Sequence, residues 1–382
     1  MPAGGMSDGE PAWIGANRCY GTLFRDPEIA ARFGTAATLD AMLRFERELT
    51  RALIAAGAVD RAAGEAALAA MERFEPDVAA IATAAGVDGL PAPELVRQLK
   101  ASVLAEAGEG ALAAVHVGAT SQDLLDTGLA LALRATSDVL AARLADLIDA
   151  LDRARARAGN AALMGRTRMR AALPITAADR LHAWTDPLRR HLERLRQLRP
   201  RVEIVQYAGP VGRRDKPNGD DVMRRLAEAL DLHPSPRSWQ ATRDGVVEYG
   251  AWLALVAGSL GKIGQDVALM AQDGVDAIAL SGGGSSSAMP HKRNPVLAEH
   301  LVALARFAAG QSAVLGQAVV HEQERSGSAW TLEWMTLPLL AETCGAATLH
   351  AHRLVRSIER IGTAAPDAEP ENGAWTGGGG GT

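Results

Sequence analysis

The densest concentration of chemically useful side chains lies between Gly282 and Pro295, which reads GGGSSSAMPHKRNP. Gly282, Gly283 and Gly284 permit backbone conformations closed to other residues and leave amide N–H groups unshielded, which suits a loop that folds over an anion. Three serines follow, then Met289, His291, Lys292 and Asn294. A hydroxyl, a cation and an amide so close together can move a proton while holding a carboxylate. As a Gly/Ser run alone, the segment reads better as a flexible linker between helices. The continuation Met289-Pro290-His291-Lys292-Arg293-Asn294-Pro295 is what gives it chemical content.

Two further segments carry candidate groups. In HVGATSQDLLDT, His116 to Thr127, the hydroxyls of Thr120 and Ser121 can donate to a carboxylate. Asp123 can orient them and is counted with them among the substrate-binding residues, and Gly118 allows close approach. The same Thr-Ser-x-Asp string is a common helix N-cap, so a purely structural role competes with the functional one. His116 can orient a substrate or give up a proton near neutral pH. In GRTRMRAALPIT, from Gly165, Arg168 offers a guanidinium that stays protonated near neutrality. It cannot serve as a general acid, but it can clamp a carboxylate through two parallel hydrogen bonds. His191, His233, His350 and His352 sit in ordinary helical or loop contexts and read as packing or surface residues.

The elements that must position these groups are helices. Leu140, Leu144, Leu147, Ile148 and Leu151 recur at spacings of three and four, as do Leu181, Trp184, Leu188, Leu192, Leu195 and Leu198. From Val246 to Met270 apolar residues fall on nearly every side, as expected of a helix buried among others. Stop signals stand at Gly57, Gly159-Asn160 and Pro200. The pattern predicts an all-α fold, a long-helix bundle with a smaller N-terminal helical domain. The division expected is 1–108, then a central bundle with the site loops over 109–361, then a disordered Gly-rich tail over 362–382.

Composition sets the outer limits. Hydrophobic residues make up 48% of 382 and charged residues 22%, which is ordinary for a folded chain. The net charge of −5 comes from interspersed charges, so no basic face for nucleic acid is expected. Cys19 and Cys344 are far apart, and no histidine or acid cluster has metal-ligand spacing, so neither a metal nor any other cofactor is expected. The start, MPAGGMSDGEPAW, lacks the pattern of a signal peptide, and the uncharged apolar run Tyr249 to Gly261 is shorter than the ~20 residues a bilayer needs. A soluble cytoplasmic protein is the expectation.

SSAMPHKRNP resembles the signature of the fumarase/aspartase superfamily, usually written SSxMPxKxNP. The resemblance implies that Ser286 is the base acting beside a carboxylate, with Ser285 and Ser287 as register alternatives. It also implies that Lys292 and Asn294 bind the carboxylate and stabilise the aci-carboxylate intermediate. HVGATSQDLLDT is similar to the superfamily's first conserved region, in the form found in its carboxymuconate cycloisomerase branch. GRTRMRAALPIT falls where the second region lies. Two lyase branches resemble one another there in carrying GRTH, whose histidine takes part in acid catalysis; this chain has Arg168.

The replacement argues against a lyase that must protonate a leaving amine. It suits a cycloisomerase closing 3-carboxy-cis,cis-muconate to a muconolactone in protocatechuate breakdown, where the substrate's own carboxylate adds to a double bond. LFRDPEIAARFGTAATLDAMLRFERELTRALIAAG, from Leu23, and HEQERSGSAWTLEWMTLP, from His321, resemble helices of that branch, and Arg243-Asp244 matches a segment that reaches the active site in relatives. The resemblance further implies a homotetramer whose sites draw the three regions, Met289 among them, from different subunits around a small polycarboxylate that Arg243 also binds. An adenylosuccinate lyase-like C–N lyase and a catalytically idle scaffold are the alternatives. AGPVGRRDKPNG, from Ala208, departs from the Gly/Ala-rich stretch usual there. Little sequence follows Gly362, where many relatives continue into a third helical domain, and no contribution from that domain is expected.

Overall fold

The leucine spacing read along residues 140–151 becomes one face of a 38-residue helix, Ser121–Ala158. The computed structural model describes residue 17 and residues 19–215, 218–285, 289 and 292–362. Ser286, Ser287, His291 and the Gly-rich residues 363–382 lie outside the described residues. The helices are α1 (Gly21–Phe24), α2 (Pro27–Ala31), α3 (Thr35–Ala55), α4 (Arg61–Arg73), α5 (Val78–Asp88), α6 (Ala92–Leu112), α7 (Ser121–Ala158), α8 (Ala177–Val202), α9 (Gly219–Leu230), α10 (Asp244–Met270), α11 (Val296–Gln317) and α12 (Ser328–Arg356). Short strands intervene: β1 (Ala162–Thr167), β2 (Arg170–Thr176), β3 (Ile278–Leu280), β4 (Gly284–Ser285), β5 (Arg293–Asn294) and β6 (Ile358–Ile361).

Helices α7, α8, α10, α11 and α12 form the bundle, and the fold is all-α in class. Leu140, Leu144, Leu147 and Leu151 of α7 meet Leu181, Trp184, Leu188 and Leu195 of α8 in one continuous core. α10 is buried along its length, through Val246, Trp252, Val256, Leu260, Ile263 and Val267. By length and composition it could cross a membrane; within the chain it packs against α8, α11 and α12. Glu248, Ala251, Leu255, Gly258, Lys262 and Gln265 form an exposed stripe, so the burial expected on nearly every side holds for only part of its circumference. A Cβ at Gly264 would lie 2.5 Å from the Ala298 carbonyl oxygen, so α10 and α11 approach at a distance that only glycine allows there. Gly57 and Gly159 end α3 and α7 with positive φ, as their positions predicted. Pro200 does not stop α8, which continues to Val202. In the last turn a proline forfeits only its own N–H bond, and Glu203 N–H still closes on the Arg199 carbonyl at 2.9 Å.

The chain direction gives the bundle two distinct ends. α7, α10 and α12 start at one end, where Asp126, Arg243 and Glu333 meet, and α8 and α11 run the other way. At the other end, β1 pairs with β2, β3 with β6 and β4 with β5, each antiparallel. α3 and α9 flank the first end, whereas α1 and α2 lie farther along, against His350, His300 and Arg143. Leu39, Met42, Leu49 and Leu53 of α3 share a core with Leu124 and Ala130 of α7 and with Val222 and Leu226 of α9.

Candidate active site

Thr120 is the N-cap of α7, and Ser121 is its first residue. Thr120 N–H donates to Asp123 Oδ2 at 2.9 Å, so the capping role is realised. Thr120 keeps its hydroxyl for another partner, because Arg325 donates from Nη2 to Thr120 Oγ1 at 3.1 Å and from Nε to Gln122 Oε1 at 2.9 Å. Two half-buried hydroxyl residues, helix-terminal N–H groups and an exposed guanidinium therefore converge on one spot. Such a helix end favours an anion on charge grounds alone.

Asp123 does not share that surface. It is fully buried, and besides Thr120 N–H its carboxylate accepts from Ala208 N–H at 3.1 Å, Gly209 N–H at 3.0 Å and the amides of Gln206 and Gln240. Expected to meet substrate, it instead pins the Ala208–Gly209 loop against the start of α7. Burial pushes its carboxyl up to about 6, against the pull of the Gly209, Thr120 and Ala208 amides. The sign of the linked stability follows. Unfolded, the group titrates near its ordinary 3.8 and binds fewer protons between the two values than it does folded, so its contribution falls as pH rises from about 4 to about 6 and is level above that. Urea midpoints across that window are expected to decline more steeply for the parent protein than for Asp123→Asn. Parallel curves would contradict the assignment.

Arg243, also expected to bind substrate, is buried completely. Its guanidinium donates from Nη1 to Asp126 Oδ2 at 2.8 Å, from Nη2 to Glu333 Oε2 at 2.5 Å and from Nε to Glu333 Oε1 at 2.8 Å, and it lies 4.7 Å above the Trp239 ring. Trp330 Nε1 and Gln122 Nε2 complete the contacts to Asp126. Burial works against the charge on Arg243, but the two carboxylates hold its proton affinity above the usual arginine value. With every oxygen it faces belonging to the protein, Arg243 ties α7, α10 and α12 together beneath the surface where Thr120 and Ser121 lie.

His116 takes a left-handed φ of 60° and turns its ring onto α3, where Nδ1 lies 2.5 Å from Glu46 Oε1. Glu46, Gln122, Asp126, Arg325 and Glu333 were not singled out from sequence. The available signal was an acid in an apolar stripe, since Glu46 interrupts Leu39, Met42, Leu49 and Leu53 at helical spacing.

The remaining candidates are at the opposite end. Arg168 and Met169 form the two-residue tip of the β1–β2 hairpin with φ of 48° and 67°, and residues 166–174 are all exposed. Gly282 and Gly283 adopt φ of 78° and 119°, Asn294 pairs with Gly284 across β4–β5, and Lys292 N–H donates to the Met289 carbonyl at 3.0 Å. Lys292 and Met289 are exposed. β4 ends at Ser285, one residue before Ser286 in the sequence. Within one chain, Lys292, Asn294, Met289 and Arg168 do not meet Thr120, Ser121 and His116. The 27 residues of α10 alone place about 40 Å between the two ends.

A bundle of long helices running up and down, with hydroxyls at one helix start and a Gly/Ser loop at the far end, defines the fumarase/aspartase class of helical lyases. The lyase family's sequence model matches residues 27–310, and the chain belongs to that family. It is 36% identical to a 3-carboxy-cis,cis-muconate cycloisomerase of Pseudomonas putida over 90% of this chain and 82% of the relative. A nitrosuccinate lyase of Streptomyces davaonensis is also 36% identical, over 86% and 72%. The crystal structure of the 3-carboxy-cis,cis-muconate lactonizing enzyme from Pseudomonas putida superposes with a TM-score of 0.81 at 36% identity, covering 90% of this chain and 77% of that one. Enzymes of this family process small polycarboxylates.

Proposed function

We propose that the protein is an intramolecular lyase that closes 3-carboxy-cis,cis-muconate to 4-carboxymuconolactone. The observation that carries this reading is the pairing of a carboxylate-binding helix start, at Thr120 and Ser121, with arginine rather than histidine at position 168. In the closure, a substrate carboxylate oxygen forms the new C–O bond and the adjacent carbon takes a proton. No amine leaves, so the chemistry asks for anion clamps more than for a second acid. Thr120 and Ser121 hold one carboxylate, Arg168 clamps another, and Lys292 and Asn294 stabilise the aci-carboxylate formed when carbon is deprotonated in reverse. Ser286 exchanges the carbon-bound proton, and His116 orients the carboxylate at the start of α7 or resupplies the proton that Ser286 gives up.

The separation of the two ends by about 40 Å supports a homotetramer in which one chain's α7 start is completed by the hairpin and loop of others. The exposed β1–β2 hairpin supplies the reach. A cytoplasmic setting fits a catabolic enzyme of this kind.

Turnover of 3-carboxy-cis,cis-muconate and of adenylosuccinate, each followed by its ultraviolet absorbance, tests the proposal. The muconate is expected to be consumed and the nucleotide left intact. Consumption of the nucleotide alone would overturn the reading. The relative named for nitrosuccinate makes an eliminating lyase the second reading, for which nitrosuccinate is the third substrate to try.

A further inference from the structure

We propose that Glu46 is a positioning residue for His116, accepting its Nδ1–H and leaving Nε2 as the atom that exchanges a proton or a hydrogen bond with substrate. The inference rests on the reading that the start of α7 receives a carboxylate, and it goes beyond it by assigning a role to a residue of α3.

Three observations carry it. The contact is short, 2.5 Å from Nδ1 to Oε1, and the Glu46 side chain is 1% exposed while that of His116 is 14% exposed. A carboxylate so placed costs several kcal/mol unless it is paired. Oε2 of Glu46 has no hydrogen-bond partner among the described residues, so His116 is its principal compensation. Second, position 46 belongs to the buried stripe formed by Leu39, Met42, Leu49 and Leu53. A leucine would fill it without that cost, so packing does not explain an acid there. Third, His116 holds its ring against α3 through a φ of 60°, a conformation that costs a non-glycine residue about 1 kcal/mol. Strain of this kind persists where the surroundings enforce it.

The geometry fixes one tautomer. The neutral ring keeps the Nδ1–H bond to Glu46 and presents a lone pair at Nε2. A proton taken up at Nε2 is passed on to substrate or water while Nδ1–H stays on Glu46. His116 stands four residues before Thr120 in the chain, and with Nδ1 held by Glu46 its Nε2 is the ring nitrogen left for substrate.

The test uses full-length Glu46→Gln and Glu46→Leu, alone and combined with His116→Gln. With helicity and oligomeric mass unchanged, Glu46→Gln is expected to lower kcat about 10- to 100-fold while KM moves less than about twofold, the range typical of a partner that orients a reacting ligand. In the His116→Gln background the same substitution should cost nothing further, because the residue acts through the ring. Additive losses would overturn the proposal and leave Glu46 a part of the fold only. A readout independent of substrate comes from nitrogen-15 spectra of labelled histidine, with His116 assigned by its loss in His116→Gln. A hydrogen-bonded Nδ1–H signal is expected in the parent protein and should vanish in Glu46→Leu. Its absence from the parent would sink the positioning role. Its presence in a protein that ignores 3-carboxymuconate would sink the substrate assignment alone.

Discussion

Equal amounts of a Ser286→Ala protein and a His116→Gln/Ser121→Ala protein, dissociated and reassembled together, are expected to regain about a quarter of parental turnover, although neither parent is active by itself. Ser286→Ala removes the proton-transferring group and is expected to cost about 10²- to 10⁴-fold alone. The second protein lacks two donors at the start of α7. If each site takes its α7 start from one chain and its Gly/Ser loop from another, random assortment makes about one site in four intact in both halves. The premise is the geometry of a single chain: Asp126 and Arg243 meet at one end of the bundle, whereas β4, β5 and the hairpin tip at Arg168 lie at the other. A mixture no more active than the mean of its parents would show that each chain builds its own site.

Arg243→Met is expected to cost about 3–5 kcal/mol of stability, read as a lowered urea midpoint together with a loss of assembled protein. Methionine fills much of the same volume, but it leaves Asp126 and Glu333 buried side by side, each with a side chain no more than 1% exposed. Two carboxylates without their cation must either take up protons or admit water, and both routes favour the unfolded chain at neutral pH. Neutralising the neighbours as well, in Asp126→Asn/Glu333→Gln/Arg243→Met, is expected to recover part of the loss. A midpoint for Arg243→Met within about 0.5 kcal/mol of the parent would refute the role given to the cluster.

The helices were legible because their signal is local. Leucines three and four residues apart along 140–151 and 181–198 state which face is buried, whereas the apolarity of 246–270 overstated burial, because Ala251, Leu255 and Gly258 lie on a face left exposed by α8, α11 and α12. The β1–β2 hairpin was legible only as an interruption. Its tip, Arg168-Met169, carries neither the Gly nor the Asn that usually marks two residues of positive φ. Thr120 and Ser121 were found through their motif, but Asp123 and Arg243 were read as substrate contacts because sequence names a charge without saying what surrounds it. Burial decides the matter for both. The acids that build the first end share one trait that could have been read in advance. Glu46 interrupts the stripe of α3, Asp126 stands a turn before Ala130 and Leu133, and Glu333 falls between Trp330 and Leu337. Each replaces a hydrophobe at a position facing the core, which a chain tolerates only where a partner charge awaits.

The length of α10 carries a consequence for how this chain can change. Adding or removing four residues within it shifts one end by about 6 Å and turns that end by about 40° relative to the other. Because α7 and α12 start from the same charged cluster, an insertion in one of the three would pull Asp126, Arg243 and Glu333 out of register. Insertions and deletions are therefore tolerated at junctions such as Gly57 or Gly274, where φ is positive and space is open. Within the bundle, the three helices keep both ends in register only if they lengthen or shorten together.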